Sequence, residues 1–167
     1  MDKLDIVTDE SGNEVVLLPE IIFSNKQNIN WNDVEDYLGK YVGELIEIAE
    51  TRDIIYIGNK FPDEYGGSSY TRKTKGARAK AKANAAQGIR EMVEIATDKV
   101  YRENHKEKHS EDAHNGWFYY VTRFAIPLYN NEKKTGEYNV YSACLVVNHA
   151  ANGKMYLYDV VLSLIHI

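Results

Sequence analysis

The chain has 167 residues, with 25 carboxylates against 20 lysines and arginines, and a formal charge of −5 at neutral pH. That length fits one domain of ordinary size, and a hydrophobic share of 44% beside 27% charged residues excludes wholesale disorder and a membrane-embedded state. The apolar runs are too short to cross a bilayer, and the carboxylate-rich first ten residues do not resemble a signal peptide, so a cytoplasmic protein without membrane partners is expected.

A single cysteine, Cys144, excludes an internal disulfide and a cysteine-rich zinc knuckle, and it reads as a small buried hydrophobe. Tyrosine is abundant, at 13 residues against 4 phenylalanines. Residues 1–53 are acidic, whereas residues 71–90 carry Arg72, Lys73, Lys75, Arg78, Lys80, Lys82 and Arg90 without a carboxylate. Such a segment suits a polyanion, but in a chain that is acidic overall the solvated linker and exposed half of a helix is the favoured reading.

In chain order, residues 1–29 read as an N-terminal arm, mobile or partly paired, with a turn at Ser11-Gly12-Asn13. A helix is expected from Asn32, an N-cap residue with Glu35 three positions on. Its buried stripe would be Val34, Leu38, Tyr41 or Val42, Leu45, and Ile48 or Ala49, closing at Arg52-Asp53. Residues 54–57 form an apolar run suited to a strand, and residues 58–69, with Pro62 and Gly66-Gly67, read as a loop.

A second helix is expected to start within residues 77–82. It would bury Ala85 or Ala86, Ile89, Met92 or Val93, and Ala96, with the upstream lysines in solvent. Residues 97–115 are charged and aperiodic, the expected functional loop. From Trp117 the chain turns β-rich in three runs, 117–129, 138–149 and 154–161. Asn152-Gly153 predicts a two-residue type I′ turn, which would set His149 opposite Tyr156 and Val147 opposite Tyr158. The fold class read from this order is α+β: two main helices, then an antiparallel meander of three to four strands. Residues 30–161 form the single domain; residues 162–167 read as a non-native tail, the translation of a sequencing adapter, or alternatively as a hydrophobic terminal strand.

Histidine is the first candidate for acid-base chemistry near neutral pH. His105, His109 and His114 lie in the charged loop and His149 precedes the tight turn. His105 and His109 are four apart, but Lys106 and Lys108 between them oppose a divalent cation, so no metal and no cofactor is expected. The same mixture suits metal-free RNA cleavage, in which the 2′-hydroxyl attacks its neighbouring phosphate. His109 and His149 would act as base and acid, with Lys106, Lys108 and Arg123 on the phosphate. Arg123 interrupts an apolar strand in phase with Trp117, Tyr119 and Val121; it either contacts a ligand or pairs with Glu103 or Asp159. Tyr119, Tyr120, Tyr156 and Tyr158 either stack bases or pack across strands. There is no Walker loop, dinucleotide-binding glycine turn or nucleophile elbow.

Several segments together resemble the large polyvalent protein associated domains of phages and conjugative elements. They are the alanine- and lysine-rich run 80–89, Glu103-Asn104 with Lys106-Glu107-Lys108-His109, Gly116-Trp117 leading to Arg123-Phe124, and His149 with residues 153–159. The layout is similar to the barnase, EndoU, colicin and RelE group of nuclease folds. The resemblance spans residues 30–161 and implies a module often fused to other activities and sometimes acting as a toxin-like or effector endoribonuclease, with an immunity protein among the partners expected of it. It implies His109, Arg123 and His149 as catalytic residues. Glu103, Lys106, Lys108, Arg78, Lys80, Tyr156 and Tyr158 would hold RNA. Members of this type continue past the Tyr-Asp-Val-Val step with a charged stretch, where this chain has residues 162–167. The alternative is a non-catalytic module binding nucleic acid or a protein.

Overall fold

The computed structural model of the protein describes residues 3–24, 28–103 and 116–166. Strands β1 (Ile6–Thr8) and β2 (Glu14–Leu17) come first, followed by helix α1 (Trp31–Leu38) and strands β3 (Leu45–Glu47) and β4 (Ile54–Tyr56). Helices α2 (Phe61–Gly67), α3 (Ser69–Lys73), α4 (Gly76–Ala85) and α5 (Ile89–Glu94) lead to β5 (Thr97–Arg102). The long strands β6 (Trp117–Asn130), β7 (Lys133–His149) and β8 (Met155–His166) complete the chain. The strands form one sheet in the order β1-β2-β6-β7-β8-β4-β3, with β5 beside the first half of β6. Among the described residues no helix is long and apolar enough to cross a membrane.

The fold class expected from the sequence is therefore corrected: among the described residues, five short helices and an eight-stranded mixed sheet replace two helices and a small meander. The first expected helix stops after Leu38, continues as a single 3-10 turn through Tyr41, and gives way at Gly43, whose φ of +94° is left-handed. Leu45, assigned to the helical stripe, sits in β3 and is exposed. Asn30, not Asn32, caps α1, accepting from the Asn32 and Asp33 amides. The expected loop at 58–69 contains α2, because Pro62 lies in the first helical turn, where a missing N–H is harmless, and Asp63 and Glu64 favour the positive end of the dipole. The second expected helix breaks into α4 and α5 around a 3-10 turn at Ala86–Gly88. Two parallel pairings, β2 with β6 and β4 with β8, join segments far apart in sequence, which hydrophobic periodicity does not register.

One face of the sheet carries the core. Tyr120, Thr122 and Phe124 of β6 and Tyr141, Ala143, Leu145 and Val147 of β7 are buried on it, and the apolar residues join Val34, Leu38, Ile89, Met92 and Val93 from the helices. The second half of α4, residues 81–85, is buried all round, including Lys82, which was expected in solvent. Lys82 Nζ lies 2.6 Å from Asp159 Oδ1, both side chains almost wholly buried, and 4.5 and 4.7 Å from the ring centres of Tyr65 and Tyr70. Beyond Tyr156 the outer edge of β8 is no longer paired with β4. There the Leu162 N–H donates to Tyr70 Oη at 2.9 Å and its carbonyl accepts from Arg78 Nη2 at 2.9 Å, so α3 and α4 side chains satisfy an edge that would otherwise template further strands.

Candidate nucleic-acid interface

The remaining turns fix what the second face of the sheet presents. The β6–β7 hairpin closes through Asn131 and Glu132, both at positive φ, with Asn130 paired to Lys133; this is where the two-residue primed turn occurs. The expected turn at Asn152-Gly153 is different. Only Gly153 has positive φ, Gly153 N–H bonds to the Ala150 carbonyl, and Ala150 N–H bonds to the Lys154 carbonyl. The loop therefore holds three residues, 151–153, in the arrangement of a type I turn followed by a left-handed glycine. His149 faces Met155, Asn148 faces Tyr156 and Val147 faces Leu157, correcting both expected pairings by one residue.

With that register, one row of residues runs straight across five strands. Tyr56 of β4 pairs with Tyr156 of β8, Tyr156 with Asn148 of β7, Asn148 with Trp117 of β6, and Trp117 with Arg102 of β5. Four strand spacings of about 4.8 Å make this row roughly 19 Å long. The rings of Tyr56 and Tyr156 are 5.7 Å apart, and Trp117 meets Tyr158 edge to face at 5.1 Å. Lys154 Nζ sits 4.9 Å from the ring centre of Tyr56, and the Arg102 guanidinium 5.7 Å from that of Tyr119. Tyr56, Tyr119, Tyr156 and Tyr158 are all half-buried, supported at the base but open above. Burial lifts the Tyr119 hydroxyl above its ordinary pKa, so it remains a neutral donor and acceptor at physiological pH.

The residues expected to act on RNA fall in different places. His109, Lys106 and Lys108 lie outside the described residues, as do His105 and His114. Glu103 is exposed just beyond β5. Arg123 lies on the same face as the aromatic row, with its Nε buried and without a hydrogen-bond partner; Asp159, one of its expected partners, is held by Lys82. His149 lies on the other face, two residues past Val147, its ring 5.5 Å from that of Phe118. Arg123 faces Ser142, seven residues along β7 from His149, roughly 23 Å at about 3.3 Å per residue. The sheet thus separates these two by face and by length.

Arg78 is engaged at the β8 edge, and Lys80 is exposed on α4 beside Arg72 and Lys75. Of the seven cations of the basic segment, Lys82, Arg78 and Arg90, which pairs with Glu44, are used internally. Tyr120 is on the core face, its hydroxyl donating to Asp53 Oδ2 at 2.7 Å. Tyr156 and Tyr158 stand on the aromatic face. Sequence reasoning missed Tyr56, Arg102 and Asn148; the in-phase run of Trp117, Tyr119, Val121 and Arg123 was the legible part of this face. Among the described residues no cluster of three or more metal-ligating side chains is present. No protein-family model, no curated protein and no solved structure matches this chain.

Proposed function

We propose that the chain is a non-catalytic module that binds single-stranded nucleic acid, RNA being the expected partner, across the aromatic face of its sheet. The observation that carries the reading is the cross-strand row from Tyr56 to Arg102, in which the half-buried rings of Tyr56 and Tyr156 stand beside the buried Trp117, with a cation near each end. Every base has a π-face, so rings at strand spacing accept successive bases without regard to sequence, and each stacked base contributes roughly 1–3 kcal/mol. The cations answer the phosphates. Transphosphorylation would need acid, base and cation within reach of one phosphate, and Arg123 and His149 do not meet that requirement.

Fluorescence anisotropy with labelled eight-nucleotide strands tests this. Binding should weaken steeply with salt. Tyr156→Ala should lower affinity by roughly 5- to 150-fold, as the loss of one stacking contact implies, and Arg102→Ala should reduce the logarithmic salt slope by about 0.7. RNA incubated with the protein in EDTA should stay intact. An affinity indifferent to both substitutions would refute the assignment of this face.

A further inference from the structure

The parallel pairing of β4 with β8 covers only two residue pairs, Ile55 with Met155 and Tyr56 with Tyr156. Beyond them the strands part, since the chain leaves β4 through Gly58, Asn59 and Lys60 into α2 while β8 continues along β7. The gap is a cavity of about 300 Å³ at the end of the aromatic row, the lower end of the range for small-ligand sites. Phe61, Leu157, Tyr156 and Tyr158 supply its apolar wall, and Asn148 and Glu64 are among its polar groups. Asn148 is 7% exposed, and its Oδ1 is buried without a hydrogen-bond partner. A buried carbonyl left unpaired is costly, and a leucine of similar size would avoid that cost. The position makes chemical sense when the Asn148 amide turns toward the cavity it lines and a ligand there delivers the missing donor.

We propose that this cavity is the specificity subsite of the strand-binding face and takes one nucleobase carrying an exocyclic amino group. The inference rests on the strand-binding reading above. An amino group has two hydrogens, one for Asn148 Oδ1 and one for the Glu64 carboxylate, while the base plane lies against the tyrosines. Adenine, cytosine and guanine present such a group. Uracil presents carbonyl oxygens on either side of a single N–H, and a carbonyl set against a carboxylate is repelled. The residues that stack accept any base; Asn148 Oδ1 and the Glu64 carboxylate favour a base that brings an amino group, while Asn59, Lys60 and Asn152 line the rest of the cavity.

The test compares U8 with the same strand bearing one central adenosine, cytidine or guanosine, with adenosine monophosphate as a separate probe. The wild-type protein is expected to bind each substituted strand at least about tenfold more tightly than U8, the discrimination a paired base edge supplies. Asn148→Leu should bring that ratio to within about twofold of unity. Glu64→Gln, on the partly exposed α2, should lower the ratio by about threefold and serves if the leucine variant is poorly folded. Equal affinity of the wild type for all four strands overturns the subsite and leaves the strand-binding face standing. Binding of adenosine monophosphate that depends on Asn148, with no strand bound, supports the base cavity and overturns the strand reading; no binding of any probe overturns both.

Discussion

The buried pair of Lys82 and Asp159 gives the sharpest test of how this fold is held together. The ammonium and carboxylate are 2.6 Å apart, with side chains 0% and 4% exposed. At an effective dielectric of about 20 their attraction is about 6 kcal/mol, against a desolvation penalty of several kcal/mol for each ion. Burial wins in both: it is the leading cause that lowers the Lys82 pKa and raises that of Asp159, so each group is pushed toward its neutral form despite its partner. The pair as a whole should therefore contribute little, while either ion alone would be a buried, unpaired charge. Lys82→Met and Asp159→Leu should each destabilise by about 3–5 kcal/mol, and the double variant should lie within about 1 kcal/mol of the wild type.

Urea unfolding, followed by far-UV circular dichroism and completed as a double-mutant cycle, measures these values. In thermal melts a protein of this size moves by roughly 2–4 °C per kcal/mol, so each single variant should lose roughly 6–20 °C. Ser68 keeps its hydroxyl bond to Thr71 when Asp159 is replaced, and the Tyr65 and Tyr70 rings that face the ammonium can receive a methionine. The reasoning fails if Lys82→Met costs less than about 1 kcal/mol, or if the double variant loses the sum of the two singles.

Asp53 accepts from Tyr120, Thr51 and Lys99. Although burial pushes its pKa up, these bonds outweigh burial and hold it below the ordinary carboxylate value of 3.8. The stability it contributes is fully present above that value and is lost as pH falls through the lower folded pKa; Asp53→Asn should cost about 1.5–3 kcal/mol at pH 7 and flatten the acid limb of a stability-against-pH curve. Gly116 has a φ of +98°, and an added Cβ would lie 2.7 Å from the Arg102 carbonyl oxygen. Gly116→Ala should therefore destabilise by about 1–3 kcal/mol in urea titration, whereas Gly67→Ala, with negative φ and nothing within 4 Å, should be neutral or slightly stabilising. Arg78→Ala removes the donor to Leu162 O and should increase self-association, read by light scattering, because it exposes a β8 edge carbonyl.

What was legible in the sequence follows the range of the interactions concerned. The runs that became β6, β7 and β8 were readable because β-branched and aromatic composition is a local signal, and the polar stretch between the first two contains the Asn131-Glu132 turn. The helical stripe was readable only as far as Leu38, since Gly43 interrupts a pattern that otherwise continues through Leu45 and Ile48. The burial of Lys82 was not readable, because it depends on an aspartate 77 residues away. Nor were the parallel pairs, in which two residues of β4 and two of β8 settle the position of Tyr56. On the interface side, Tyr156 and Tyr158 could be named from composition, but Asn148 becomes interesting only once its carbonyl is seen to lack a donor.

The three-residue loop at 151–153 and a bulge at Tyr158 together decide that the aromatic row exists. From Ala150 to Val147, β7 pairs with β8 one residue out of step with the pairing that a two-residue turn would produce; between Val146 and Val147 the register shifts, and from Asp159 onward Val146, Leu145 and Cys144 pair as that shorter turn would have placed them. The loop adds a residue and the bulge absorbs it. Only the segment between the two irregularities is affected, and it holds Tyr156. In the uninterrupted register Tyr156 would face His149 and turn toward the helices; in the observed one it faces Asn148 and joins the row with Trp117. A slip of one residue exchanges the faces of a strand, and a bulge confines that exchange to a few positions while re-aiming the side chain it carries. Tyr158, the bulged residue, meets Trp117 on the same face as Tyr156. The core half of β8, from Asp159 to Leu162, keeps the register that buries Val160 and Leu162. The sheet thus gains an aromatic surface at one end of β8 without displacing the core residues at the other.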